Sequence, residues 1–328
     1  MNFYQDKKVA VLGGAGFVGS FLVEKLVELG AVVRVVDNLS NGSLKNLADV
    51  ADKIQFMKLD LRKEISCRKA VKGQELVFNL AARVTNIGYN RNHHIEMFEE
   101  NMLLQMYPIK AAYQMGVRKF LQASTVCVYP HDAIVPTPES EGERGRPEDT
   151  NEGYGWAKRM GEVLARFYNQ KEMPVVVSRF SNVYGPRDHF DLEIAHVIPA
   201  FIIKCLKGEK VEVWGTGEQT RSFLYVEDAA ESLLKLMEFS NNPEPINTGG
   251  SEMISMKDLL NIIIEELGTK NEIVWNTSYP DGHKERQADT TKMKEITNWK
   301  PQTDLRKGIK KTIEWYKKEE FTNGTANF

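Results

Sequence analysis

The chain has 328 residues, with 43 basic and 45 acidic side chains for a net charge of −2, and 42% of it is apolar. That balance lacks the basic face of a nucleic-acid binder, and no apolar run reaches the ~18 residues of a membrane span. The first residues show no secretory-signal pattern, and Cys67, Cys127 and Cys205 are odd in number and scattered, so reduced thiols in a cytoplasm are expected, not a disulfide framework or a metal site.

Taken in chain order, KKVAVLG is an apolar run ending in glycine, and FVGSFLVEKLVELG follows with helical spacing at Val18, Leu22, Leu26 and Leu29 and a stop at Gly30. AVVRVVD reads as a second strand. IQFMKLDL, ELVFNLAA, KFLQAS and VVVSRF read as further strands, with helices between. The helix over IEMFEENMLLQMYPIKAAYQMG contains Pro108, which predicts a kink. STVCVYP reads as a buried strand carrying Cys127 near its end, and residues 130–153 form a long polar loop of the lid or rim type. After about residue 180 the strands shorten to VEVWG, RSFLYV and EPINTGG. SMKDLLNIIIEELG is a helix opened by Ser255 and Asp258, and an amphipathic helix closes the chain. The alternation predicts an α/β fold. It has a doubly wound parallel sheet formed by residues 1–180 and about 221–245, and a smaller α/β substrate domain formed by 181–220 and 246–328.

Gly13, Gly16 and Gly19 stand between the first strand and its helix. Gly13 suits a tight turn, Gly16 the approach of a pyrophosphate, and Gly19 the closure of helix on sheet. The helix start offers free N–H groups to phosphate. Asp37 ends the second strand, eighteen residues after Gly19, where a carboxylate binds ribose hydroxyls and repels a 2′-phosphate, favouring NAD over NADP. Asp60, at the end of the third strand, can meet the adenine edge.

Tyr-x-x-x-Lys occurs twice, at Tyr4/Lys8 and Tyr154/Lys158. The first lies in the N-terminal tail and is set aside. The second opens a helical segment, where i and i+4 share a face. An ammonium there favours the phenolate and lowers the tyrosine toward a usable base. Thr125, on the preceding strand, can hydrogen-bond the same substrate oxygen. Cys127 reads either as a small core hydrophobe or as a proton carrier.

Together these residues resemble the extended short-chain dehydrogenases/reductases, the nucleotide-sugar epimerases and dehydratases. Also similar are NLAA at 79–82, RFSNVYGP at 179–186, GTGEQTRSFLYVEDAA at 215–230 and PDGHKERQAD at 280–289. The resemblance covers nearly the whole chain. It implies a cofactor set of Gly13, Gly16, Phe17, Val18, Gly19, Asp37, Asn38, Asp60, Leu61, Leu80, Ala81, Ala82, Tyr154 and Lys158. It also implies a nucleoside diphosphate sugar held by Asn182, Lys204, Trp214, Arg221 and Arg286. A homodimer through a four-helix bundle would use helices near 92–116 and 154–170. STVCVYP, AARVTNIGYN and NVYGPRDHFDLEIAHVIPAF resemble GDP-fucose synthases and GDP-mannose 3,5-epimerases, which implies that Cys127 and His196 exchange protons at C3 and C5 of a 4-keto sugar. Dehydration is disfavoured, because Val126 and Cys127 stand where dehydratases carry an acidic pair. The chain departs from both branches: Asp37 is an acid that GDP-fucose synthases lack, and His196 stands where the 3,5-epimerase has lysine. Three readings follow: an NAD-dependent epimerase of a GDP-sugar, a C4 dehydrogenase or 4-keto reductase, and a dinucleotide-sensing binding protein.

Overall fold

The structure is a computed structural model describing residues 2–85, 87–208, 210–278 and 284–322. PDGH, the first part of the late PDGHKERQAD segment, lies outside the described residues. Seven parallel strands form the main sheet: β1 (Lys8–Leu12), β2 (Val32–Asp37), β3 (Ile54–Lys58), β4 (Leu76–Asn79), β5 (Lys119–Thr125), β6 (Val175–Phe180) and, later in the chain, β11 (Ile246–Thr248). Their order is β11-β6-β5-β4-β1-β2-β3. The chain winds outward from β1 to β3, then returns to start β4 on the other side of β1. This reversal opens a crevice at the carboxyl ends of β1 and β4, where open α/β sheets bind ligands. The strands read as continuous apolar runs because both faces are covered: β4 and β5 are buried at every position.

Helices α1 (Phe17–Glu28), α2 (Glu64–Val71), α3 (Ile87–Asn92), α4 (His94–Gln114) and α5 (Glu152–Asn169) belong to this half. One apolar cluster lies over α1 and continues into the second half; another lies under α2, α4 and α5. Pro108 does not end α4, which runs on to Gln114. Proline lacks the N–H that would bond the carbonyl four residues back, and Asn79 Nδ2 donates to that Leu104 carbonyl at 2.9 Å.

The second half holds β7 (Val183–Tyr184), α6 (Val197–Lys207), β8 (Lys210–Trp214), β9 (Thr220–Ser222), β10 (Leu224–Tyr225), α7 (Val226–Phe239), β12 (Met253–Ser255), α8 (Met256–Leu267), β13 (Glu272–Asn276), β14 (Glu285–Arg286), α9 (Thr291–Thr297) and α10 (Leu305–Thr322). RSFLYV is therefore two short strands, separated at Phe223. α7 packs on α1, and β11, read from sequence as part of the second domain, is the outer strand of the main sheet beside β6. α8 has the expected start, with Asp258 N donating to Ser255 Oγ at 3.0 Å, and ends on left-handed Gly268.

One short-range reading needs correcting. Tyr4 is no tail residue: it is 2% exposed, and its hydroxyl donates to the Leu234 carbonyl at 2.6 Å, so Tyr4 and Lys8 form no site. Residues 130–153 are a strap tied down at both halves. Thr137 exchanges backbone hydrogen bonds with Gln287 and Asp289, at 2.8 and 2.9 Å, just past β14. Among the described residues, no helix is long and apolar enough to cross a membrane.

Candidate active site

The glycine turn is fixed by close approaches. Gly13 has φ +78°, and a Cβ there would meet Ala81 N at 2.9 Å. A Cβ on Gly19 would meet Gly13 O at 2.2 Å, so α1 can sit this close to β1 only with glycine there. At Gly16 the nearest atom to a Cβ is 3.3 Å away, and Gly16 caps α1 with no side-chain hydrogen bond. The N–H groups that open α1 thus face the crevice, next to Leu80 and Ala81 beyond β4. This backbone cradle fits a dinucleotide pyrophosphate.

Asp37 ends β2 as read and is 7% exposed. Its oxygens accept from Ala15 N at 3.1 Å and Leu39 N at 2.8 Å, and burial raises its pKa against those bonds. The carboxylate is thereby locked to the turn, beside Asn38. β3 ends at Lys58, so Asp60 lies beyond the strand and not at its end. It is gripped by Arg62, whose hydrogen bond holds the carboxyl below its ordinary value. Leu61 is buried beside it.

Tyr154 and Lys158 share a face of α5, with Lys158 Nζ 5.6 Å from the centre of the phenol ring. Lys158 is 2% exposed and donates to the Ala123 carbonyl of β5 at 2.9 Å. Burial pushes the ammonium down to about 7, against the pull of Glu162 and Cys127. The phenol moves opposite to expectation: burial raises Tyr154, and Cys127 adds to the rise. Desolvation is the larger of these two causes.

β5 stops at Thr125, which is correct for the strand but not for Cys127. Val126–Val128 is a 3₁₀ turn, capped by Thr125 Oγ1 accepting from Cys127 N at 3.2 Å. That bond uses a lone pair and leaves the hydroxyl proton available. The turn lifts Cys127 off the sheet. Cys67 is fully buried, with its thiol pushed up to about 12, and Cys205 is also buried, while Cys127 is half-buried. A Cβ on Gly155, beside Tyr154, would meet the Cys127 carbonyl at 2.5 Å, so this turn packs against the start of α5.

Arg286, on β14, pairs in register with Arg221 on β9, so the two residues stand opposite one another on parallel strands. Arg286 is ion-paired with buried Glu148 of the strap, and Glu148 is held through Asn151 to Asn90. Arg221 has no acidic partner among the described residues; its Nη1 donates to the Thr220 carbonyl, and burial lowers its pKa. Asn182 donates to the Ser222 carbonyl at 2.9 Å. Lys204 is turned to the Glu212 carbonyl at 2.9 Å, and Trp214 is 59% exposed at the end of β8. His196 caps the start of α6 and bonds Asp188. Among the described residues no hydrogen bond or ion pair joins His196 to Cys127.

Sequence reasoning missed Asp188, Glu148 and a brace beneath the site. In that brace Glu162 accepts from Ser124 Oγ at 2.5 Å and from Arg179 at 2.8 and 2.7 Å, and Arg179 donates to Tyr129 OH at 3.1 Å. It ties β5, α5 and β6 together just below Thr125. An arginine inside the buried strand VVVSRF was the available signal.

A family model described as the NAD dependent epimerase/dehydratase family matches residues 9–249. The chain belongs to this family. Its members are NAD-dependent enzymes, and the cradle, with Asp37 locked beside it, fits that cofactor. The chain is 33% identical to the probable GDP-L-fucose synthase 1 of Oryza sativa subsp. japonica over 96% of its length and 94% of that protein's. It is 29% identical to the GDP-mannose 3,5-epimerase 1 of the same plant, over 95% and 82%. Among solved structures, the UDP-glucose 4-epimerase of Thermotoga maritima with UDP-glucose is 31% identical and superposes with a TM-score of 0.85, over 95% of this chain and 99% of that one.

Proposed function

We propose that the chain is an NAD-dependent epimerase of a GDP-sugar of the mannose type, working through transient oxidation at C4. NAD, when bound, supplies the hydride acceptor. Tyr154 takes the O4 proton, Thr125 hydrogen-bonds the same oxygen, and Lys158 sets the charge around the phenol. The C4 ketone acidifies the C–H bonds at C3 and C5. Cys127 exchanges a proton on one ring face and His196 on the other. Arg221, Arg286 and Asn182 take the diphosphate and ribose, with two planar guanidiniums suited to paired phosphate oxygens. The observation that carries this reading is the position of Cys127, half-buried on a turn that packs against the start of α5 next to Tyr154. A core thiol would sit like Cys67.

GDP is favoured by the likeness to the rice proteins, and the Thermotoga neighbour makes UDP-sugars the necessary comparison. Cys127→Ser should keep sugar-driven NAD reduction and lose solvent-deuterium incorporation at C3 or C5, read by product NMR across GDP- and UDP-sugars. Equal loss of both steps would refute the thiol's role. Deuterium-free turnover in the unaltered chain would favour a C4 dehydrogenase or 4-keto reductase. A homodimer through α4 and α5 is supported by Ile95, Phe98, Tyr113 and Phe167, apolar yet 38–71% exposed on that helix pair. A monomer by sedimentation would refute it.

A further inference from the structure

His196 lies where a loop turns into α6, with its side chain 41% exposed, while the side chain of Asp188 is 0% exposed. Nδ1 is 3.1 Å from Asp188 Oδ1 and 3.3 Å from Oδ2, and His189 N donates to Oδ1 at 2.8 Å. We propose that Asp188 is the positioning residue of His196, holding the imidazole by Nδ1 so that Nε2 is the atom that exchanges protons with the sugar. This rests on the proton-carrying role given to His196 above.

Three observations carry it. A carboxylate only accepts, so an ionised Asp188 requires a proton on Nδ1, and neutral His196 is left with an accepting Nε2. Next, His196 is the sole ion-pair partner of Asp188 among the described residues. A carboxylate this deeply buried is costly unless paired, so the two side chains act as one unit. Finally, the cation next in sequence is engaged elsewhere. Arg187 takes a left-handed φ of 69°, unusual for a residue with a side chain. Its guanidinium pairs with Glu24 of α1 at 2.6 Å and lies over the Phe21 ring at 4.4 Å.

The charged neighbours are few. Asp188 and His189 face His196, and Asp191 lies close to His189. Burial holds His189 below its ordinary value, so it adds little positive charge. For His196, desolvation works downward and the Asp188 carboxylate outweighs it, leaving the imidazolium above its ordinary value.

The test combines nitrogen-15 NMR of the histidines with deuterium wash-in. In the unaltered chain, the neutral ring of His196 should carry its proton on Nδ1; an Nε2-protonated ring would overturn the proposal without any variant having to fold. In Asp188→Asn, the His196 midpoint should fall, and wash-in at C3 or C5 should drop about tenfold or more near neutral pH, with its acid limb moved to lower pH. Sugar-driven NAD reduction should persist. If Asp188→Asn leaves both midpoint and wash-in unchanged, the positioning role is refuted. If the NMR behaves as stated but His196→Asn retains full wash-in, the proton-carrying reading of His196 fails instead, and this proposal with it.

Discussion

In the cofactor turn the close approaches are made by backbone, Gly19 against Gly13 O and Gly13 against Ala81, with one side chain, Asp37, accepting from Ala15 N. On the sugar side the fit is made by side chains from distant segments. Arg221 and Arg286 meet across β9 and β14, Glu148 reaches in from the strap, and Asp188 and His196 come from a loop and a helix start. A backbone-built site is fixed once the strand and helix form. A site built from charged side chains depends on which pairs form, so substitutions there can separate binding from stability.

Tyr154 sits on the seam between the two regions, and its replacement should have the largest effect. Tyr154→Phe should lower sugar-driven NAD reduction by about 10²–10⁴-fold, the usual contribution of an acid–base group, while NAD still binds. Absorbance of the reduced nicotinamide reads the first and calorimetry the second. Unchanged turnover would move the chemistry off the phenol and leave the cofactor turn as a binding site alone, which favours the sensor reading.

The next variants divide the sugar side itself. Arg221→Met and Arg286→Met should each weaken binding of the nucleotide sugar about tenfold or more, since charge-assisted hydrogen bonds contribute about 1.5–3 kcal/mol. They should differ in stability. Arg286→Met removes the ion-pair partner of buried Glu148, which keeps its hydrogen bond from Asn151, and breaking a buried pair costs about 3–5 kcal/mol, so its thermal midpoint should fall. Arg221 has no acid partner to strand among the described residues, and its variant should melt close to the unaltered chain. Equal melting losses would mean that the Glu148 pair does not hold the strap.

The same contrast explains what could be read in advance. Gly13, Gly16, Gly19 and Asp37 are separated by fixed short spacings, and Tyr154 and Lys158 by one helical turn, so local sequence reveals them. Glu148 could not be recognised because its partner, Arg286, arrives through the pairing of β14 with β9. Asp188 stands in a loop with no periodicity, so nothing in the local sequence marks it as buried. Cys127 was placed on a strand because STVCVYP has strand composition; Thr125, whose hydroxyl can cap, ends the strand instead. The direction of the Tyr154 shift is hidden for a related reason. Spacing reveals that a lysine is near but not how far burial opposes it.

The burial of Lys158 also has an effect on stability that depends on pH. Lys158 holds its proton only to about 7 when folded, against an ordinary 10.5 when unfolded. Between those values the unfolded chain keeps a proton that the folded chain has released, so raising the pH favours the fold. Below about 7 both states are protonated and the full penalty applies; above 10.5 both are neutral and it vanishes. Burial pushes Lys119, at the start of β5, down to about 8, which gives a contribution of the same sign over a narrower window. Lys158→Met removes the first contribution and keeps the second. Its unfolding free energy, followed by denaturant titration from neutral pH upward to just below 10, should therefore rise less steeply than that of the unaltered chain, most clearly just above neutrality, where Lys119 contributes little. Parallel slopes would mean that Lys158 is charged throughout this range, with the Ala123 carbonyl and Glu162 compensating its burial. The phenol beside it would then have a permanent cation for a neighbour, as the spacing of Tyr154 and Lys158 on its own suggested.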